Sequence, residues 1–145
     1  MRNLADRGPA DAIDIVIEST GLWVQDEKAQ GHVDAGAKKV IISAPGKGDV
    51  PNIVFGVNHR EALASGDTVL SAASCTTNAI VPVLKAMNER FGVVNGHVET
   101  CHAFTNDQNL IDNYHPKARR GRAAPLNMVL TETGAAKAVG KALPE

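Results

Sequence analysis

TVLSAASCTTNAIVPVLKAM, residues 68–87, changes its period at a single cysteine. Residues 68–74, TVLSAAS, read as a strand. Past Cys75, the apolar residues Ile80, Val83, Leu84, Met87 and Phe91 recur at three- and four-residue steps. That spacing predicts one amphipathic helix of about four turns, and Gly92 stands where a left-handed residue ends it. Pro82 has no amide to bond the Asn78 carbonyl, so it marks a place where the helix could bend. A structural cysteine usually lies among branched or aromatic neighbours, whereas Cys75 follows small and hydroxylic residues. At a strand-to-helix junction a thiol faces helix N-terminal amides, which favour the thiolate.

Upstream of this stretch the same alternation repeats. AIDIVIE (12–18) is short and β-branched and is closed by Ser19-Thr20-Gly21, which predicts a buried strand opening into a ligand-facing turn. Residues 23–36 are polar and helical in pattern, with Gly36 as a stop. KVIISAPG (39–46) is a second buried strand, and NIVFGVN (52–58) is a further candidate. Strands alternating with helices predict an α/β fold, a partial doubly wound, Rossmann-like sheet with its ligand crevice at the carboxyl ends of the strands. Downstream, GHVETCHAFT (96–105) alternates as a strand, with Val98, Thr100, His102 and Phe104 on one face and Cys101 on the other. Residues 106–125 are polar, basic and without a period, which predicts a loop. TETGAAKAVGKALPE closes the chain as a helix, with Thr133-Gly134 at its start. The expected domain division is 1–75 and 76–145.

Composition limits the partners. The chain is 43% hydrophobic and 21% charged, with 15 basic and 16 acidic residues, which is the make-up of a globular protein with no need of nucleic acid or a membrane surface. No apolar run reaches the roughly 18 residues of a bilayer span. Two cysteines form no disulfide framework and suit a reducing compartment, so a cytoplasmic location is expected.

Cys75 and His102 are the first pair of catalytic candidates, because a helix N-terminus and an imidazole together activate a thiol. A small core thiol and a satisfied strand histidine are the alternative, and His32, His59, His97 and His115 are equally available. In KARRGR (117–122), Arg119, Arg120 or Arg122 could hold a phosphate bidentately or could be solvated surface charge. Thr133-Gly134 before a helix offers an anion site or an ordinary cap. The chain contains no G-x-G-x-x-G, Walker loop, C-x-x-C or H-E-x-x-H, so it gives no motif for a metal.

SCTTN (74–78), HAFTNDQ (102–108), RRGRAA (119–124) and TGAAKAVGKALPE (133–145) together resemble, in order and spacing, the phosphorylating glyceraldehyde-3-phosphate dehydrogenases. IESTG (17–21) and ISAPGKGDVPNIVFGVNH (42–59) are similar to that family's cofactor-side segments. The resemblance implies an oxidoreductase that converts glyceraldehyde 3-phosphate and inorganic phosphate to 1,3-bisphosphoglycerate in glycolysis or gluconeogenesis. NAD is the implied cofactor, with NADP also admitted, and a homotetramer is implied for the full-length protein. Cys75 matches the attacking thiolate and His102 the base. Ser74, Thr76, Thr133 and Gly134 match groups near the inorganic phosphate, Thr105 a contact to the substrate's phosphate, and Arg122 the arginine serving the attacking phosphate. Ser19, Thr20, Gly21 and Ser43 to Pro45 match cofactor loops, and Asn78 matches a residue that fixes the active-site turn.

The family's G-x-G-x-x-G strand-turn-helix, its second substrate-phosphate arginine and its late asparagine have no counterparts in these 145 residues. The expectation is therefore an internal fragment, inactive alone, joining the end of a cofactor domain (1–75) to the start of an α+β catalytic domain (76–145). IDNYHPKARRGR also resembles the erythrose-4-phosphate dehydrogenases. A Cys-His acyl-transfer enzyme and a non-catalytic phosphate- or RNA-binding module are the readings from other classes.

Overall fold

The computed structural model of the chain describes residues 13–143. Ala12 of the first expected strand, the first twelve residues of the expected 1–75 domain, and Pro144-Glu145 of the closing segment lie outside the described residues. Two compact units are formed: residues up to Gly96 together with Lys137 onward, and His97–Ala136.

The first unit is built on three parallel strands in the order β1 (Ile15–Glu18), β2 (Lys39–Ile42), β3 (Val69–Ser71). The register aligns Val16, Val40 and Val69 in one row and Glu18, Ile42 and Ser71 in the row nearest the carboxyl ends. Helix α1 (Asp26–Asp34) covers the face that carries both rows, with Ala29 and Val33 packed among Val40, Ile42 and Val69. Each fully buried aliphatic side chain there stabilises the unit by about 1.5 to 3 kcal/mol. β1 differs from the wholly buried strand its β-branched run predicts. It lies at the edge of the described sheet, and Ile15 and Ile17, which point away from α1, are 54% and 67% exposed.

NIVFGVN forms no strand of its own. Asn52 alone bridges to Ser71, and Asn58 Oδ1 accepts the Val54 amide at 2.8 Å. Asparagine side chains offer the backbone a local partner, and here that partner turns the chain instead of extending it. Helix α2 (His59–Ala64) follows. Helix α3 (Cys75–Phe91) runs through Pro82 and ends at Gly92, whose φ is 72°. A second cluster joins Val81 and Ile80 of α3 to Val54, Ala73 and, from α4 (Ala135–Ala142), Val139 and Ala142. No helix among the described residues is long and apolar enough to cross a membrane.

The second unit has little regular structure. GHVETCHAFT forms no strand, because alternation supplies a face but not a neighbouring strand to pair with. Cys101, His102 and Phe104 are all exposed. Within the loop 106–125 a short 3-10 turn forms over Ala118–Gly121. At Gly121 a side chain would collide with the Asn113 carbonyl, so the close approach of those two backbone segments requires glycine.

Candidate functional site

Three loops leave the carboxyl ends of three adjacent parallel strands, the edge at which such sheets bind ligands. After β1 comes Ser19-Thr20-Gly21, shaped by Glu18. The Glu18 carboxylate accepts from the Thr20 amide at 2.6 Å and from the Thr20 hydroxyl, with His32 Nε2 3.3 Å from its other oxygen. Burial pushes this carboxyl up, but the Thr20 and His32 bonds outweigh it and hold it below the ordinary range. After β2 comes Ser43-Ala44-Pro45, tied to the first loop where the Ser43 amide donates to the Glu18 carbonyl at 2.9 Å. Ser19, Thr20, Gly21 and Ser43 are all exposed.

The third loop, Ala72 to Ser74, delivers Cys75. Ser74 is the N-cap of α3, with extended backbone and its Oγ accepting the Thr77 amide at 3.0 Å. Cys75 is thus the first residue of the helix and is exposed, with Thr76 Oγ1 4.0 Å from its Sγ. Asn78 Nδ2 donates to the carbonyls of Ala72 at 2.8 Å and Ser74 at 2.9 Å, lacing the turn to the helix it feeds. The amides of a first helical turn point toward the side chains there, which suits a developing negative charge.

The second unit carries the remaining candidates. His102 is exposed, and its Nδ1 donates to the Ala103 carbonyl at 2.6 Å. A carbonyl only accepts, so this bond places the proton of a neutral ring on Nδ1 and leaves Nε2 as its basic nitrogen. Thr105 is exposed, and its carbonyl accepts from Gln108. The three arginines divide their tasks. Arg119 donates to the Leu130 carbonyl at 3.2 Å. Arg120 binds the Asp107 carboxylate, the Thr131 hydroxyl and the Glu132 carbonyl. Arg122 contacts Asp112 through Nε at 3.2 Å and remains 63% exposed. The hydrogen bond from Arg120 holds Asp107 below the ordinary carboxylate range, as the Ala123 amide does for Asp112. Thr133 Oγ1 accepts the Ala135 amide at 3.2 Å at the start of α4, beside the exposed Gly134.

The structure therefore brings Ser19 to Gly21, Ser43, Ser74, Cys75 and Thr76 into the first unit. It places His102, Thr105, Arg122, Thr133 and Gly134 in the second. Ser71, Asn52 and Ala73, which support the Cys75 loop, carry no signal in the spacing of the sequence. A serine inside an apolar strand is the one hint that Ser71 has polar neighbours.

Residues 74–145 match the family described as glyceraldehyde 3-phosphate dehydrogenase, C-terminal domain. Over 131 residues the chain is 57% identical to a glyceraldehyde-3-phosphate dehydrogenase-like protein of Pseudomonas aeruginosa, an overlap of 90% of this chain and 28% of that protein. It is 52% and 51% identical to the plasmid and chromosomal glyceraldehyde-3-phosphate dehydrogenases of Cupriavidus necator, across 100% of this chain and 45% of each relative. The chain thus spans less than half the length of these relatives. Through residues 74–145, which hold Cys75 and His102, the chain belongs to the glyceraldehyde-3-phosphate dehydrogenase family.

Proposed function

We propose that this chain supplies the thiol and base of a phosphorylating aldehyde dehydrogenase acting on glyceraldehyde 3-phosphate. Residues 1–75 would close a cofactor domain and 76–145 open a catalytic one. The observation that carries this reading is the placing of an exposed cysteine at the first residue of α3, beside two exposed loops at the carboxyl edge of a parallel sheet. The loop residues suit a dinucleotide. Ser19 and Ser43 offer exposed hydroxyls, Thr20 is held in the turn by Glu18, and Gly21, at φ 73°, has open space where a side chain would project.

Cys75 Sγ adds to the aldehyde carbon to form a hemithioacetal, and the adjoining helix amides stabilise the thiolate beforehand. His102 Nε2 takes the hydroxyl proton of that adduct, which drives the carbon–hydrogen bond toward cleavage. Bound NAD, or NADP, supplies the acceptor for the departing hydride. Phosphate then attacks the Cys75 thioester, releasing the acyl phosphate and returning the thiol. Arg122 and the Thr133-Gly134 helix start, with Ser74 and Thr76, serve the attacking phosphate, and Thr105 serves the phosphate of the substrate. In the cell we place the activity in the cytoplasm, in a homotetramer of full-length chains, with the 145 residues inactive alone.

A chimera tests this reading. These 145 residues replace the matching segment of the plasmid-encoded Cupriavidus necator relative, and NADH formation is followed with phosphate and either glyceraldehyde 3-phosphate or erythrose 4-phosphate. We expect turnover that is lost in Cys75→Ser and that favours the triose substrate. Turnover surviving Cys75→Ser would overturn the assignment, and a preference for the four-carbon sugar would move the chain to the erythrose-4-phosphate enzymes.

A further inference from the structure

Ser71, the last residue of β3, is 1% exposed and, with Glu18 and Thr77, is one of the buried polar residues among those described. Its Oγ donates to the Ala44 carbonyl at 2.7 Å and accepts the amides of Gly46 and Ala73, each at 3.0 Å. Asn52 Oδ1 stands 3.0 Å from the same oxygen and also accepts the Gly46 amide, while its Nδ2 donates to the Gly46 and Val50 carbonyls. One hydroxyl therefore joins the loop after β2, where Ser43 stands, to the loop that leads into Cys75.

The residue it grips is unusual. Ala73 has φ 58°, the one positive φ outside glycine among the described residues. The left-handed region disfavours any residue with a Cβ, so the fold must hold Ala73 there. It does so from both sides. The amide is bound by Ser71, and the methyl, 4% exposed, packs in the cluster that contains Val81 of α3. Glycine would adopt this φ readily but would give up that packing contact. Two residues further on is the first residue of the helix, so the angle at Ala73 sets how Cys75 enters it.

We propose that Ser71, backed by Asn52, is a positioning residue for Cys75: it fixes the left-handed turn at Ala73 that aims the thiol at the α3 amides, and it ties that turn to the loop after β2. This rests on the reading of Cys75 as nucleophile. A thiol turned away from the helix N-terminus loses the field that favours its thiolate, so misaiming appears as a slower thiol.

The test is iodoacetamide labelling of the 145-residue chain from pH 6 to 9, with Cys75 and Cys101 resolved by peptide mapping and folding checked by circular dichroism. In the parent chain Cys75 should react faster than Cys101. Ser71→Ala should slow Cys75 about tenfold at neutral pH, the effect of losing one buried hydrogen-bond anchor. It should move the pH midpoint of the reaction upward and leave Cys101 unchanged. Adding Ala73→Gly to Ser71→Ala should recover most of the rate, because glycine takes the turn without the tether. Asn52→Ala should slow Cys75 in the same direction by about threefold, and it decides the matter if Ser71→Ala does not fold. A parent Cys75 no faster than Cys101 would sink both the nucleophile assignment and this inference. A fast parent thiol unaffected by Ser71→Ala or, where that variant is unfolded, by Asn52→Ala would overturn the positioning role alone. Failure of glycine to restore the rate would overturn the route through Ala73.

Discussion

In the unit that carries the sheet, Val40 and Ile42 are wholly withdrawn from solvent, and α1 and α3 each bring apolar side chains to a cluster. In the unit His97–Ala136 the buried residues are Gly121, Ala123, Ala124 and Ala135, while Tyr114, Leu126 and Met128 are 86%, 85% and 94% exposed. What orders the second unit is polar. Arg119 and Arg120 hold backbone carbonyls, Asp112 holds the Ala123 amide, and Asp107 pairs with Arg120 and His115. Apolar burial is not screened by salt, whereas exposed charge pairs are screened and individually weak. The proposed chemistry draws on both kinds of scaffold. In that proposal the nucleophile, with Ser74 and Thr76, sits on the cored unit, and the base, Thr105, Arg122 and Thr133-Gly134 sit on the polar one.

The sharpest way to break this comparison is through the base. In the chimera, His102→Asn should lower turnover about 10²- to 10⁴-fold, the usual contribution of a positioned proton acceptor. Near-parental turnover would remove His102 from the chemistry and leave the polar unit only its phosphate-binding groups. Next in size is the core. Ile42→Ala should cost about 2 to 5 kcal/mol in urea unfolding, whereas Met128→Ala should stay within about 0.5 kcal/mol. Equal losses would mean that the second unit is cored as well.

Acid offers a smaller effect, carried in the first unit by Glu18 and, with the same sign, in the second by Asp107 and Asp112. The folded Glu18 carboxyl lies below its ordinary value of 4.5, so the stability it contributes is present above that pH and is lost as pH falls through the folded value. Glu18→Gln should flatten this acid limb of a pH series of unfolding midpoints. An unchanged limb would place the acid sensitivity elsewhere. The smallest effect belongs to the polar unit. Arg120→Ala should cost about 1 kcal/mol or less while raising amide exchange over residues 107–132, and molar salt should imitate it. Exchange there that ignores both salt and the mutation would show that the arginine bonds do not order the segment.

Much of the first unit was legible because its signals are local. The switch from strand to helical period at Cys75 and Gly92 as the helix stop each rest on residues along one helix. NIVFGVN misled because the side-chain bonds of Asn52 and Asn58 compete with a ladder. GHVETCHAFT misled because a strand exists only where another lies beside it. The arginine run was legible as charge, yet the assignment of Arg119 and Arg120 to carbonyls and of Arg122 to Asp112 depends on segments about ten residues away in either direction.

By itself the sequence determined the α/β pattern, the strand-to-helix junction at the SCTTN cysteine and the family, since periodicity and motif order are properties of neighbouring residues. Only the tertiary structure decided that three loops share one edge of the sheet and that a buried serine holds Ala73 at φ 58°. Those depend on parallel pairing between strands about 25 to 30 residues apart. No local preference encodes such contacts, because each becomes favourable only when the whole core has closed around it.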